Sequence, residues 1–352
     1  MLKDKNALNN MSASEYVKYL EDNFLFKRVR VLGDKPWRAI GLLINLVKLG
    51  LKPQRAKDTR MVSDAFSLTA LRDIFECNLK AIIRSLPRDE GTSRLESIPV
   101  TCIPQDIQEL ELTSPNALAV LTPRGDPYIL IHAGLSYCLH SVTKALTHCI
   151  ETGSSGDEPI NLPDLKRFVN SVAHYFKTGD AAKLGFLPFR TTESTLLLQS
   201  LLGHGEKVFL LWHELAHHIL GHVGQQRKVR LSTTPQFDVT LVSREQKEEL
   251  AADIIGAKFT YHTFEFYADK SKATAAGVPV TSAPHVYAAP DVFFTFLAAF
   301  EKILGRNWSP TDSHPAALQR RAAIRSKWNP QLPVEAVQFG AAVEKVFDEL
   351  LA

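Results

Sequence analysis

One run constrains the chain more than any other: Val208-Phe-Leu-Leu-Trp-His213-Glu214-Leu-Ala-His217-His218-Ile-Leu-Gly-His222. Its apolar residues demand burial, and buried polar groups are tolerated only when hydrogen-bonded, paired or bound to a metal. His213 and His217 stand four apart, so on a helix both imidazoles project from one side and can share a single zinc ion. Glu214 adjoins the first of them, where its carboxylate reaches a water on such an ion without displacing a ligand. Average residue usage makes a chance H-E-x-x-H in a chain this long a roughly one per cent event.

A zinc site of this class needs a third protein ligand and one open position. The metzincin solution requires glycine and histidine at 220 and 223, where this chain has Leu220 and Val223. The other solution is a carboxylate from a following helix. Ser243-Arg-Glu-Gln246 reads as a capping box that opens one, continuing Glu248-Glu249-Leu-Ala-Ala252-Asp253-Ile-Ile-Gly256. Glu249 and Asp253, four apart, face the same way. Glu249 is the expected ligand, with Glu248 as a rival rotated by about 100°. Asp253 is expected to accept the outer N–H of a ligand histidine and fix its tautomer. Ala252 and Gly256 are small enough for this helix to approach the histidine helix closely. His218 and His222 lie off the ligand face and are expected to pack or to act behind the ligands.

The remainder reads as an α+β chain dominated by helices. Hydrophobic residues make up 45% and charged residues 22%, which excludes a disordered or fibrous protein. Helices are expected at Tyr16–Leu20 behind a Ser12/Glu15 capping box, at 37–49 and at 65–86. Asn116–Leu121 and Tyr128–His132 flank a Thr-Pro-Arg-Gly-Asp-Pro turn and form a strand hairpin. Further helices are expected at 135–147, after Asn161, at 196–202, 208–221, 244–262, 292–304 and 344–351, with a lid-like loop over 271–290.

The start of the chain lacks an apolar leader, and no run approaches the roughly 20 residues of a spanning helix. Four cysteines without C-x-x-C pairing fit a reducing compartment, so a cytoplasmic location is expected. A formal charge of +3 is too weak to make nucleic acid the main partner. Between residues 27 and 60, however, ten basic residues face only Asp34 and Asp58. That stretch is either a solvated basic face or a docking surface for an acidic partner.

The order H-E-x-x-H then E-x-x-A-D resembles the gluzincin metallopeptidases of the HtpX and CAAX-prenyl-protease type. Pro115-Asn116-Ala117-Leu118-Ala119 is similar to that family's substrate-strand motif, and Asp312-Ser313-His314-Pro315 with Arg321 to its T-H-P…R segment. His222 matches a histidine found in some branches of the family. The resemblance spans about residues 96–325 and implies a zincin-like domain with insertions near 150–200 and 264–290. A basic helical region, 1–95, precedes it, and a tail with a short helix, 326–352, follows.

The resemblance further implies a zinc endopeptidase acting on a protein or peptide. His213, His217 and Glu249 would hold the metal, and Glu214 would be the general base. His314 would be an oxyanion donor or fourth ligand, and Arg321 would pair with a site carboxylate or anchor the C-terminal segment. Asn116, Ala117, Leu118 and Ala119 would present an open strand edge to the substrate. Many family members span membranes, whereas this chain has no spanning helix. The alternative is a non-catalytic sensor or binding protein on the same scaffold, working through its basic N-terminal region. Glu214 argues against it, because a structural zinc site needs no base.

Overall fold

The computed structural model describes residues 10–20, 79–80, 83, 95, 98–103, 117–155, 162–178, 193–222, 226–230, 238–242, 245–271, 284–305 and 315–352. The expected 37–49 helix, most of the 65–86 helix, the 27–60 basic stretch, residues 272–283, Asn116, Ser243 and His314 lie outside them. Among the described residues the fold is mostly helical with a small sheet. The elements in chain order are α1 (Ala13–Leu20), β1 (Val100–Ile103), β2 (Ala117–Leu121), β3 (Pro127–His132), α2 (Ala133–Ser155), α3 (Leu162–Thr178) and α4 (Glu193–Ile219). They continue with β4 (Gln226–Arg230), β5 (Asp238–Val242), α5 (Gln246–Ser271), α6 (Ala289–Leu304), α7 (Ala317–Trp328) and α8 (Val334–Leu351).

The expected hairpin is β2 and β3, antiparallel, closed by Thr122 and Asp126: the Thr122 N–H donates to the Asp126 carbonyl at 2.9 Å. It belongs to a larger sheet in the order β1-β3-β2-β5-β4, with β1 parallel to β3 and the other pairs antiparallel. All five side chains of β2 are buried, as are Tyr128 to Ile131 on β3. Such unbroken apolar strands are what a sheet covered on both faces requires. Helix α4 packs against β2. Helix α1 packs against β3, its Tyr16 ring meeting Tyr128 edge-on at 6.0 Å. The Ser12/Glu15 box forms as expected, with the Glu15 carboxylate accepting the Ser12 N–H at 2.9 Å.

Several helices are longer than the apolar pattern suggests. The stretches at 196–202 and 208–221 are one 27-residue helix, α4. Gly203 and Gly205 resemble a break, yet Gly205 marks a close contact: a Cβ there would sit 2.6 Å from the Ala289 Cβ. Helix α5 runs to Ser271, so the segment beginning at 264 is helical, and Phe264 is buried. Pro284–Ala288 forms a 3₁₀ turn leading into α6, which corrects the loop expected to reach 290. The C-terminal helix spans 18 residues, beginning ten positions before the short helix expected over 344–351, and buries Ala336, Phe339, Val343, Phe347 and Leu350. One apolar core joins these residues to α3, α4 and α6, and also takes in Leu79 and Ile83 from the N-terminal region. No described helix is long and apolar enough to cross a membrane.

Candidate metal centre

Helices α4 and α5 build the site by lying against each other. Gly256 permits this, because a Cβ there would come within 3.0 Å of the His213 backbone nitrogen and 3.1 Å of its Cα. On α4 the ligand turn is held by Trp212, fully buried, stacked on Phe259 at 4.5 Å and donating its indole N–H to Thr263 at 2.9 Å. Helix α5 opens at Glu245, whose N–H donates to the Glu248 carboxylate at 2.9 Å. The cap therefore sits two residues later than the expected Ser243 box. It also turns Glu248 away, which removes it as a rival ligand.

The His213 and His217 Nε2 atoms are 3.2 Å apart. Glu249 faces both, with Oε2 at 3.5 Å from His213 Nε2 and Oε1 at 3.4 Å from His217 Nε2. One ligand atom from each of the three lies within 4.8 Å of the others, and all three residues are buried. Glu214 places Oε1 3.8 Å from His213 Nε2 and is buried as well.

Behind this group stands a charge network. His213 Nδ1 lies 2.9 Å from Asp253 Oδ1, close enough for the carboxylate to favour a proton on Nδ1, though off the line of a hydrogen bond. Arg320, from α7, grips Asp253 with two hydrogen bonds of 2.7 Å and lies 3.3 Å from Glu249 Oε2. The guanidinium face rests 4.7 Å over the Phe294 ring. Burial opposes the charge on Asp253, but Arg320 and His213 hold its carboxyl below the usual range. Burial likewise opposes the charge on His213, yet Asp253, Glu249 and Glu214 push it up to about 9.

These facts test whether a metal fits. In their ionised forms, three buried carboxylates (Glu214, Glu249, Asp253) face one guanidinium. With neutral imidazoles the formal balance is −2, which a divalent cation cancels. Two imidazole nitrogens and one carboxylate are also the donors of a catalytic zinc site. The residues fit the group.

Other expected site residues divide. Asp253 lies behind His213, as its spacing suggests. Arg321 does not reach the site; it bonds Thr295 Oγ1 at 3.0 Å and the Glu344 carboxylate, anchoring α8. The reason is geometric, since one step along α7 rotates a side chain by about 100°. Arg320 takes the place instead, and the motif spacing alone leaves the two adjacent arginines unseparated. Strand β2 lies between β3 and β5, but its pairing with β5 covers only Val120 and Leu121; Ala117, Leu118 and Ala119 have buried side chains and pair with β3 alone among the described residues. The missed strands β4 and β5 are short, and β4, Gln-Arg-Lys-Val-Arg, has almost no apolar signal.

Comparison of the chain with family models, curated proteins and solved structures returned no match. The geometry stands alone.

Proposed function

We propose that the chain is a zinc-dependent endopeptidase of the gluzincin type, with a zincin-like fold, hydrolysing a protein substrate in the cytoplasm. The observation that carries this reading is the convergence of His213 Nε2, His217 Nε2 and a Glu249 oxygen within 4.8 Å, with Glu214 beside them. When bound, zinc supplies Lewis acidity, lowering the pKa of a coordinated water towards about 7 and polarising the scissile carbonyl.

The chain's own residues supply the rest. Glu214 accepts the proton of the attacking water and returns it to the leaving amine. Asp253 keeps His213 in the tautomer that offers Nε2. Arg320 holds the Asp253 carboxyl below its usual range, so that carboxylate does not compete for the proton that Glu214 carries. Free thiols at Cys138 and Cys149 suit a reducing compartment.

Glu214→Gln tests the reading. The variant should bind zinc as the parent does and lose about 10²–10⁴-fold in peptide hydrolysis. Newly formed protein N-termini in cells carrying the parent should be missing from cells carrying the variant. Zinc binding without any Glu214-dependent cleavage would support a binding protein on this scaffold instead.

A further inference from the structure

Helix α4 ends in a way that bears on its second ligand histidine. The Leu220 N–H still donates within the helix, to the Ala216 carbonyl at 2.8 Å. Gly221 then turns into the left-handed region, with φ of 63°. Its N–H reaches the His218 carbonyl at 3.4 Å, and the His222 N–H reaches the His217 carbonyl at 3.1 Å. This pair of reversed bonds is a Schellman stop, with Gly221 as the left-handed residue and His222 as the residue beyond it. In that motif the residue beyond the stop folds back onto the side chain of the residue whose backbone carbonyl accepts its N–H, usually in an apolar contact. Here that partner is His217.

The contact is polar. His222 Nδ1 lies 3.0 Å from His217 Nδ1, and the two rings meet at 64° with centroids 5.1 Å apart. Two nitrogens at this distance share one proton, so one ring donates and the other accepts. For His217 Nε2 to offer a lone pair beside His213 and Glu249, the shared proton must sit on His217 Nδ1.

We propose that His222 is a positioning residue for the metal centre: delivered by the Gly221 stop, its Nδ1 accepts the His217 Nδ1–H and holds that ring in the metal-binding tautomer. This rests on the zinc site proposed above. It makes the two ligand histidines unlike. His213 is backed by a carboxylate from another helix, and His217 by a neutral imidazole from its own helix terminus. Stop and outer partner are thus one local device, written as His217-x-x-x-Gly221-His222.

The test compares His222→Asn with His222→Leu in the full chain. Asparagine places an acceptor oxygen about where histidine carries Nδ1, whereas leucine preserves only the apolar fold-back of the stop. Zinc affinity is measured by chelator competition, and the His217 tautomer by ring ¹⁵N spectra of the zinc-loaded protein. His222→Leu should keep the parent's circular dichroism and lose roughly 10- to 100-fold in zinc affinity, the usual effect of removing an outer partner. His222→Asn should recover most of that loss, with the His217 proton on Nδ1. Parent-like zinc affinity in the leucine variant, or asparagine no better than leucine, would overturn the proposal. A parent chain that binds zinc but cleaves nothing would sink the protease reading and leave this comparison intact. A parent chain that binds no zinc would overturn both.

Discussion

Helix α4 carries two buried acidic environments about two turns apart, and they solve the same problem in opposite ways. At His213 and Glu214 the carboxylates of α4 and α5 meet a guanidinium and two imidazoles, and Arg320 with His213 holds the Asp253 carboxyl below its usual range. At Glu206 no such network exists among the described contacts. That carboxyl is fully buried against Thr143 Oγ1, at 3.1 and 3.2 Å. Burial raises it to about 8 despite the Thr143 hydrogen bond and the opposing pull of Lys207. One acid group is compensated by cations, the other by its own proton. A buried carboxylate keeps its charge only where cations meet it, and Arg320 does so at Asp253.

The comparison is broken most severely at Arg320. Arg320→Leu leaves Asp253 and Glu249 without their guanidinium and should cost about 3–5 kcal/mol of unfolding free energy in metal-free protein. Added zinc should recover part of that loss, because it binds only the folded site. Denaturant titration with and without zinc measures both effects.

Glu206 sharpens the other side. Its folded pKa of about 8 exceeds the ordinary value of 4.5, so between those values the folded chain binds more protons than the unfolded one. Its contribution to stability therefore falls as pH rises through that window and levels off above about 8. Glu206→Gln removes this dependence and should gain roughly 2 kcal/mol on the parent between pH 6 and pH 9, with zinc affinity unchanged. Thermal unfolding at the two pH values is the check.

Gly256→Ala should cost about 1–2 kcal/mol by pressing a methyl group onto the His213 backbone, and it should weaken zinc binding as well. The smallest effect is expected from Arg321→Met. That arginine pairs with the half-exposed Glu344 rather than with the site, so a loss of about 1 kcal/mol with unchanged zinc affinity is expected. A zinc defect in Arg321→Met without one in Arg320→Leu would reverse the assignment of the two arginines.

The sequence revealed the site where its chemistry is written at helical spacing. His213/His217 and Glu249/Asp253 are both four-residue pairs, and Gly256 announced the close approach between their helices. Arg320 was hidden because its neighbour is also an arginine, and only the rotation of α7 separates them. Glu206 lacked any signal, because a glutamate beside Lys207 on an apolar helix looks like a surface charge until Thr143 is seen packed against it. The fold was least legible where apolar periodicity ends before the helix does. Helix α5 turns Glu249 and Asp253 towards His213, so its core-facing side reads weakly from the sequence. The pairing of β5 with β2 joins residues more than a hundred positions apart, and no local pattern foretells it.

X-ray absorption at the zinc edge of the full chain, together with metal stoichiometry, tests the His213, His217 and Glu249 ligand set when the parent is compared with Glu249→Gln. One zinc per chain is expected, with two imidazole nitrogens and a carboxylate oxygen at about 2.0–2.2 Å. Glu249→Gln should lose the carboxylate and most of the affinity. A parent chain that takes up no zinc, or a Glu249→Gln variant with an unchanged spectrum and affinity, would contradict that ligand set.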